Sequence, residues 1–398
     1  MSLVHQTLTN TFKKFFDSEK SSGILLIICT VLSLLLANSS IGADYLNIWH
    51  RHVGSLSLEH WINDALMAIF FLFIGLELER ELYSGELSNF KNALLPIFAA
   101  IGGMVAPALI HFWFNRGSPT QVGFGIPMAT DIAFALGVLA ILGNRIPASL
   151  KVFVVAFAVM DDLGAIIIIA TFYTTQLSIW YLVGAFAIWV LLVTLNRLHV
   201  MSLIPYLLGG ALMWFLMLKS GVHATIAGVM LAFAIPFSSK GDDKASPSHK
   251  LEHLLHYPVA FIILPIFALS NTGIVIGADW VHKLTSKNSL GIIAGLVVGK
   301  PLGVMLPCFV AVASGISRLP PDLNWRHVFG AGILGGIGFT MSIFINNLAF
   351  GGNVDAINGS KMAILSASLT AGTIGFLWLK FFGKPEANYS STDTKGLT

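Results

Sequence analysis

Long apolar runs are the feature that most constrains what this chain can fold into. Twelve such runs, each of roughly the 17 to 25 residues that an α-helix needs to cross a bilayer, alternate with short polar segments. Because lipid cannot satisfy free backbone groups, helices or closed barrels are the structures that span membranes. The sequence therefore predicts an all-α polytopic membrane protein. The predicted spans are 22–38, 61–78, 93–114, 121–143, 150–173, 178–195, 203–218, 221–237, 257–277, 289–312, 327–350 and 361–382.

The composition agrees with this class. The 398 residues are 55% hydrophobic and 11% charged, whereas soluble domains average about 25% charged residues. The net charge is +3 and no basic stripe indicates nucleic acid. Cys29 and Cys308 both lie in apolar runs, so we expect no disulfide framework. We predict one transmembrane domain over 1–383, a disordered tail over 384–398, no cleaved signal peptide and no cofactor.

Lysine and arginine predict the orientation of the bundle. If the N-terminus is cytoplasmic, 16 of the 23 Lys and Arg residues lie in inside segments, 6 lie in outside segments, and Lys300 lies within a span. Cytoplasmic loops of membrane proteins carry such an excess. Both termini are therefore predicted to be cytoplasmic.

Glycine and proline interrupt the fourth and eleventh spans, in "GFGIPMATDIAFALG" (123–137) and "GAGILGGIGFTMSIF" (330–344). Such interruptions free backbone groups that only protein or water can satisfy. Two interrupted spans at comparable places in the two halves indicate an inverted-repeat transporter with its site near the bilayer midplane. The internal sequence similarity is too weak to establish the repeat by itself.

Four charged residues are predicted near mid-membrane: Asp131, Asp161, Asp162 and Lys300, with Asp64 nearer the outer end of the second span. Each central charge costs about 2.5–3.5 kcal/mol on insertion scales, so the charges must face one another or water. One alternative is a structural clamp between Lys300 and one aspartate. That clamp leaves a surplus of carboxylates, and neighbours on a helix point about 100° apart.

The surplus carboxylates favour a cation site. Hard cations bind carboxylate, hydroxyl and carbonyl oxygens. Burial and mutual repulsion disfavour two full charges at Asp161 and Asp162. The pair can therefore hold protons or a bare cation such as Na⁺ or Li⁺, and competition between the two is ion exchange. The metal bound at Asp161 and Asp162 would be the transported Na⁺ itself.

Asp131 and Lys300 have further possible roles. If the broken spans cross, an aspartate suits facing helix N-termini and a lysine suits facing C-termini, because the ends of a helix carry partial charges. We favour this role for Asp131, with direct cation ligation second. Lys300 could also pair with Asp161 and release a proton when the cation arrives.

Seven segments of the chain resemble the NhaA-type Na⁺/H⁺ antiporter family, and the resemblance extends from about residue 10 to 383. They are "WINDALMAIFFLFIGLELEREL" (61–82), "GIPMATDIAFALG" (125–137), "AVMDDLGAIIIIA" (158–170), "LKSGVHATIAG" (218–228), "LEHLLH" (251–256), "LVVGKPLG" (296–303) and "GGIGFTMSIFI" (335–345).

The resemblance implies Asp161 and Asp162 as the sodium and proton site, at the end of a cytoplasmic funnel. It implies Thr130 and Asp131 as the unwound part of span four, and Lys300 as an essential lysine. Inverted-repeat topology is already known for this family. The resemblance further implies electrogenic exchange with more protons than sodium ions, in the bacterial inner membrane.

Activation at alkaline pH and a homodimer are also implied by the resemblance. The 39–60 connection, with strand-like "LNIWHRHVGSLSLE", is similar to an outer β-hairpin that joins two protomers, and we expect that hairpin over 45–58. The residues that match the family's pH-response region are Glu77, Glu81, Glu252, His253, His256 and His223.

Rival functions remain at this point. An intramembrane aspartyl protease uses two buried aspartates, but from two helices, and the chain has no G-x-G-D motif. A transporter of another substrate would need different ligands, and a channel would need a repeated pore-lining filter. His249, His253 and His256 could share a helix face and bind a metal, although Pro247 makes that start of the helix doubtful.

Overall fold

The computed structural model describes residues 21–174, 177–237 and 246–383, and it is mostly helical. The predicted tail over 384–398 lies outside the described residues. Short 3₁₀ turns occupy Glu86–Ser88, Pro119–Gly125 and Gly143–Arg145. The other elements are α1 (Ser21–Ala37), α2 (Gly42–His50), β1 (His52–Val53), β2 (Leu56–Ser57), α3 (Leu58–Tyr83), α4 (Phe90–Phe114), α5 (Ile132–Leu142), α6 (Ala148–Phe172), α7 (Ile179–Arg197), α8 (Leu203–Ser220), α9 (Ile226–Ala232), α10 (Pro247–Asn271), α11 (Trp280–Leu284), α12 (Lys287–Ala313), α13 (Trp325–Gly335), α14 (Phe339–Ala349) and α15 (Val354–Phe382).

Eight of the described helices are long and apolar enough to cross a membrane, or up to ten spans if each of two bent pairs is one crossing. The bent pairs are α1 with α2, at 114°, and α13 with α14, at 45°. Two predicted spans contain only short helices, because α5 has 11 residues and α9 has 7. At 1.5 Å per residue, α5 covers about half of the ~30 Å hydrocarbon core. Twelve membrane spans therefore stay a prediction.

The predicted hairpin is shorter than the sequence suggested. Strand pairing is confined to His52 with Ser57 and Val53 with Leu56, around a turn at Gly54. The expectation of strands over 45–50 is wrong, because these residues belong to α2. Tyr45 and Trp49 are four residues apart and therefore share one helix face. The Tyr45 hydroxyl lies 2.7 Å from the Leu269 carbonyl oxygen, so contact with α10 stabilises the helix here.

Small residues let α4 and α12 approach very closely. A Cβ on Gly102 would overlap the carbonyl oxygen of Gly303, so neither helix tolerates a larger side chain there. A π-helical turn, Gly295–Gly299, directly precedes Lys300 on α12. Turns of this kind are often found at functional sites. The close contact with α4 and the π turn together fix where Lys300 enters the bundle.

The core of the bundle is formed by α3, α6 and the α13–α14 pair, whose side chains are largely buried. By contrast, α7 presents large apolar side chains such as Trp180 and Phe186 on the outside, as expected of a helix that faces lipid. The polar residues of interest therefore lie on the central helices and not on the periphery.

Candidate functional site

Two irregular segments of backbone meet inside the bundle. Residues 126–131 lie between the Pro119–Gly125 turn and α5, and residues 336–338 lie between α13 and α14. The Asp131 N–H donates to the Ile337 carbonyl at 2.7 Å, and the Ser342 hydroxyl donates to the Ile126 carbonyl at 2.7 Å. These bonds satisfy backbone groups of both irregular segments, which a lipid environment requires. We call these two segments the crossing.

Asp131 joins the N-termini of two helices at the crossing. One carboxylate oxygen accepts a hydrogen bond from the Phe134 N–H of α5 at 3.1 Å. The other accepts from the N–H of Thr340, in the first turn of α14, at 2.9 Å, and also from the Thr340 hydroxyl. A carboxylate at a helix N-terminus interacts favourably with the helix dipole and with the free N–H groups. Asp131 is only 1% exposed, so these contacts take the place of water.

Asp161 lies in the middle of α6 and is fully buried with Lys300 and Thr130. The Lys300 ammonium pairs directly with one carboxylate oxygen of Asp161. The Thr130 hydroxyl lies 2.7 Å from that same oxygen and 2.9 Å from the Gly335 carbonyl. Among the described residues, Lys300 therefore pairs with a carboxylate and not with carbonyl groups at helix C-termini. The carbonyl oxygens of Gly335 and Ile126 are instead contacted by the hydroxyl groups of Thr130 and Ser342.

Asp162 differs from its neighbour. It is 1% exposed, and neither of its carboxylate oxygens has a hydrogen-bond partner within the described part of the chain. The second carboxylate oxygen of Asp161 is also buried without one. Three carboxylate oxygens thus remain available close to a single lysine. Leaving a buried polar group unpaired costs about 1–3 kcal/mol, and more for a charged one, so this arrangement calls for a ligand or a proton.

A charged cluster lies where the C-terminal end of α3 meets the start of α10. Arg80 donates to Glu252 at 2.6 Å and lies 3.7 Å from Glu77 and 3.4 Å from Glu81. His249 Nδ1 lies 3.8 Å from Glu252. We call these five residues the Arg80 cluster. Three predicted pH-response residues, Glu77, Glu81 and Glu252, are therefore in contact with one guanidinium.

The remaining predicted pH-response residues are three histidines. The His256 ring is 5.9 Å from the Phe73 ring, and the His253 side chain is exposed. His223 Nε2 lies 2.8 Å from the carbonyl oxygen of Tyr173, which comes directly after the C-terminal end of α6. His223 thus belongs to a different region of the bundle from the Arg80 cluster.

A cavity of about 50 Å³ lies between the Arg80 cluster and Asp131. Its walls include Glu77 and His256 near one end, and Asp131 and Thr340 at the crossing. Phe70, Phe73 and Leu264 supply apolar lining. Glu77 of the Arg80 cluster and Asp131 therefore line one cavity.

Sequence reasoning missed Arg80, Thr340 and the contact in which the Ser248 hydroxyl donates to Glu79 at 2.9 Å. Arg80 is three residues from Glu77 in "LELEREL", a spacing that places both on one helix face. Thr340 lies in the first turn after the glycine break, where a free N–H is expected. Among the described residues, no group of three His, Cys, Asp or Glu side chains is arranged to hold a metal, which gives the histidine alternative no support.

Comparisons with known proteins identify similar chains over nearly the whole length. The model of the family described as Na+/H+ antiporter 1 matches residues 13–379. A Na(+)/H(+) antiporter NhaA of Dechloromonas aromatica is 72% identical over 376 residues, covering 94% of this chain and 97% of that protein. The protein of the same name from Cytophaga hutchinsonii is 61% identical, covering 94% and 96%. Another, from Aliivibrio fischeri, is 48% identical, covering 94% and 98%.

Proposed function

The chain belongs to the Na+/H+ antiporter 1 family, and from this we propose that it exchanges Na⁺ or Li⁺ for protons at Asp161 and Asp162. Members of this family are transporters and not enzymes. The observation that carries the proposal is the buried carboxylate of Asp162, without a hydrogen-bond partner in the described residues, beside the Asp161–Lys300 ion pair. The protein does not need a cofactor for this exchange.

Proton and cation compete for the same oxygens in this mechanism. In the proton-loaded state Asp162 carries a proton, and Asp161 is balanced by the Lys300 ammonium. An arriving Na⁺ is ligated by both carboxylates, with Thr130 contributing its hydroxyl oxygen, since hard cations prefer such ligands. Asp162 then releases its proton. Lys300, displaced from Asp161 in a buried site, releases a second.

This exchange moves net charge. Two groups give up protons for one bound cation, so more protons than sodium ions cross in each cycle and transport is electrogenic. Asp131 remains bonded to Phe134 and Thr340 throughout, which keeps the half-helix N-termini in place beside the site. Its role is to compensate the two helix ends, with direct ligation of the ion as the lesser alternative.

Alkaline activation is assigned to the Arg80 cluster together with His253 and His256. Three carboxylates of the cluster surround one arginine, so loss of protons at high pH makes the group more negative. The negative charge attracts Na⁺ and shifts α10 against α3. The cavity between this group and Asp131 supports the view that such a movement reaches the crossing. His223 contributes to the pH response from its separate position beside Tyr173.

The finer topology is also part of the proposal. We infer a single transmembrane domain over 1–383 with twelve crossings and an inverted repeat, in which spans four and eleven are interrupted and cross at mid-membrane. The hydrogen bonds from Asp131 N–H to Ile337 and from the Ser342 hydroxyl to Ile126 support this arrangement. The excess of Lys and Arg in inside segments supports cytoplasmic termini. The bacterial inner membrane, surrounding lipid and a homodimer through the hairpin complete the proposal.

The alternatives have weaker support. An intramembrane aspartyl protease brings together carboxylates from two helices, whereas Asp161 and Asp162 are neighbours on α6. A transporter of another substrate is not favoured, because the relatives are named Na(+)/H(+) antiporters and the free oxygens suit a small cation.

Flux measurements on purified protein in proteoliposomes test the proposal. An imposed pH gradient should drive ²²Na⁺ movement that saturates with Na⁺, and a membrane potential should change its rate because the cycle moves charge. Li⁺ should compete and K⁺ should not. Flux that is independent of the pH gradient would overturn the exchange mechanism, and flux insensitive to the membrane potential would overturn the electrogenic cycle.

A further inference from the structure

Three asparagines from three helices form a hydrogen-bonded chain at the end of the bundle opposite the Arg80 cluster. The side-chain amide of Asn347, on α14, donates to the side-chain carbonyl oxygen of Asn271 at 2.6 Å. The side-chain amide of Asn271, on α10, in turn donates to the side-chain carbonyl oxygen of Asn63, on α3, at 2.9 Å. Asn271 is completely buried. We call these residues the asparagine chain.

The position of the asparagine chain relates it to the transport site. Leu264 and Thr340 line the cavity beside Asp131, and Asn271 and Asn347 lie seven residues further along the same helices. Seven residues are nearly two helical turns, about 10.5 Å, and return to the same helix face. Asn63 lies near the start of α3, whereas the Arg80 cluster lies at its end. The asparagine chain therefore lies beyond the crossing, on the side away from the Arg80 cluster.

The chemistry of the surrounding side chains suits a small hard cation. The side-chain carbonyl oxygen of Asn347 is buried and has no hydrogen-bond partner within the described residues. Amide carbonyl oxygens are among the ligands that Na⁺ and Li⁺ share with other hard cations.

We propose that Asn63, Asn271 and Asn347 form a second, transient binding site for Na⁺ or Li⁺ on the outer part of the transport route. The inference rests on the proposed function and orientation. In the present conformation the amides bond to one another and close the route across α3, α10 and α14. When the transporter faces outward, these hydrogen bonds open, and the amide oxygens ligate the partly dehydrated ion before it reaches Asp161 and Asp162.

Apparent affinities measured separately at each membrane face test this site. Right-side-out and everted vesicles give KM for Na⁺ and Li⁺ at the outer and cytoplasmic faces. Asn347→Ala removes a ligand oxygen, and a loss of about 1.4 kcal/mol of binding would raise the outer KM about tenfold. The cytoplasmic KM and the pH profile should stay unchanged.

The matched control is Asn346→Ala. Asn346 is the next residue on α14, and its side-chain oxygen is likewise buried without a partner among the described residues. Its amide donates to the Ile357 carbonyl at 3.1 Å and not to the asparagine chain, so both KM values should stay as in the parent protein. Asn347→Ser, which keeps an oxygen, should recover part of the outer affinity. If Asn347→Ala does not accumulate in the membrane, Asn63→Ala is read in the same way.

The outcomes separate this proposal from the proposed function. An unchanged outer KM with a lower kcat, or an equal change of KM at both faces, would mean that the amides only hold the helices together, and would overturn the second site. Absence of Na⁺-dependent exchange in the unmodified protein would instead overturn the antiport function itself. A selective change of the outer KM, absent in the control, supports the second site.

Discussion

The adjacent aspartates differ in what each side chain contacts. Asp161 is held by Lys300 and Thr130, whereas Asp162 has free carboxylate oxygens among the described residues. The 100° offset between helix neighbours explains the difference, because the two carboxylates point to different surroundings. The sequence alone predicted that the pair is buried, which the structure confirms, and its role in ion binding stays a prediction. It offered two roles for Lys300, pairing with Asp161 or compensating helix C-termini, and could not decide between them, since that depends on how α6 packs against α12.

Amide variants should separate the two aspartates. Asp162→Asn should abolish exchange but keep or raise thermal stability in detergent, because it removes an uncompensated buried carboxylate. Asp161→Asn should also abolish exchange, but it leaves the Lys300 charge without its partner, and breaking a buried pair costs about 3–5 kcal/mol. Na⁺-driven dequenching in everted vesicles and melting in detergent measure both effects. Near-normal exchange in both variants would refute the site assignment.

Lys300 should be coupled energetically to Asp161. Lys300→Ala alone should lower the melting temperature and stop transport, because the Asp161 carboxylate loses its counter-charge in a site that excludes water. Combining Lys300→Ala with Asp161→Asn removes both charges, so the double variant should be more stable than the sum of the single effects predicts. The matched double variant Lys300→Ala with Asp162→Asn should show weaker coupling. Additive losses would mean that the ion pair contributes nothing to stability.

At the scale of elements, described helices end within the two glycine-rich motifs, and whether these ends belong to interrupted spans stays a prediction. The breaks at 126–131 and 336–338 lie within the two motifs singled out from glycine and proline. The reach of α5 and α9 was harder to foresee, since an apolar run has the same composition whether it is one helix or two short ones. The helix α2 was missed because it is stabilised by contacts of Tyr45 with Ser33 and Leu269. These tertiary contacts cannot be predicted from a local sequence of strand-forming residues.

The interface between α3 and α10 should set the pH profile. We expect activation when the Arg80 cluster reaches a sufficient negative charge. Glu252→Gln removes one of its carboxylates, so further groups must lose protons to reach the same charge, and the profile at saturating Na⁺ should shift to more alkaline pH. Unit charges a few ångströms apart near a protein surface interact by about 1–4 kcal/mol. Since 1.36 kcal/mol corresponds to one pH unit, interactions of this size correspond to a shift of about one to three units.

A matched control and a rival model make this measurement decisive. Asp355→Asn makes the same chemical change at an exposed position at the start of α15 and should leave the profile unmoved. The rival model explains pH dependence by competition between protons and Na⁺ at Asp161 and Asp162 alone. It expects no shift with Glu252→Gln or Glu81→Gln, and an acidward shift without limit as Na⁺ is raised. An unmoved pH profile in a variant that combines Glu252→Gln with Glu81→Gln would favour that model.

At the scale of the whole molecule, the twelve apolar runs predicted a helical membrane bundle, and a mostly helical structure with eight to ten candidate spans confirms that class. The central position of the charged residues follows from the cost of exposing them to lipid. What brings them together is long-range packing: Asp131 contacts Thr340, 209 residues away, and Lys300 contacts Asp161, 139 residues away. Sequence periodicity within one helix carries no information about such pairs.

The proposed dimer forms through the exposed hairpin. Val53 is 53% exposed in the hairpin, and an exposed strand edge is a template for pairing with another chain. Replacing residues 52–55 by a Gly-Ser linker of equal length should give monomers in light scattering that still exchange Na⁺ for protons, since the aspartates and the crossing lie in one chain. Removing all of 45–58 should also lower stability, because it takes away buried Tyr45 and Ser57, whose hydroxyl accepts from His60 N–H. Persistent dimers after the linker replacement would place the interface elsewhere, and folded monomers without exchange would mean that the interface takes part in transport.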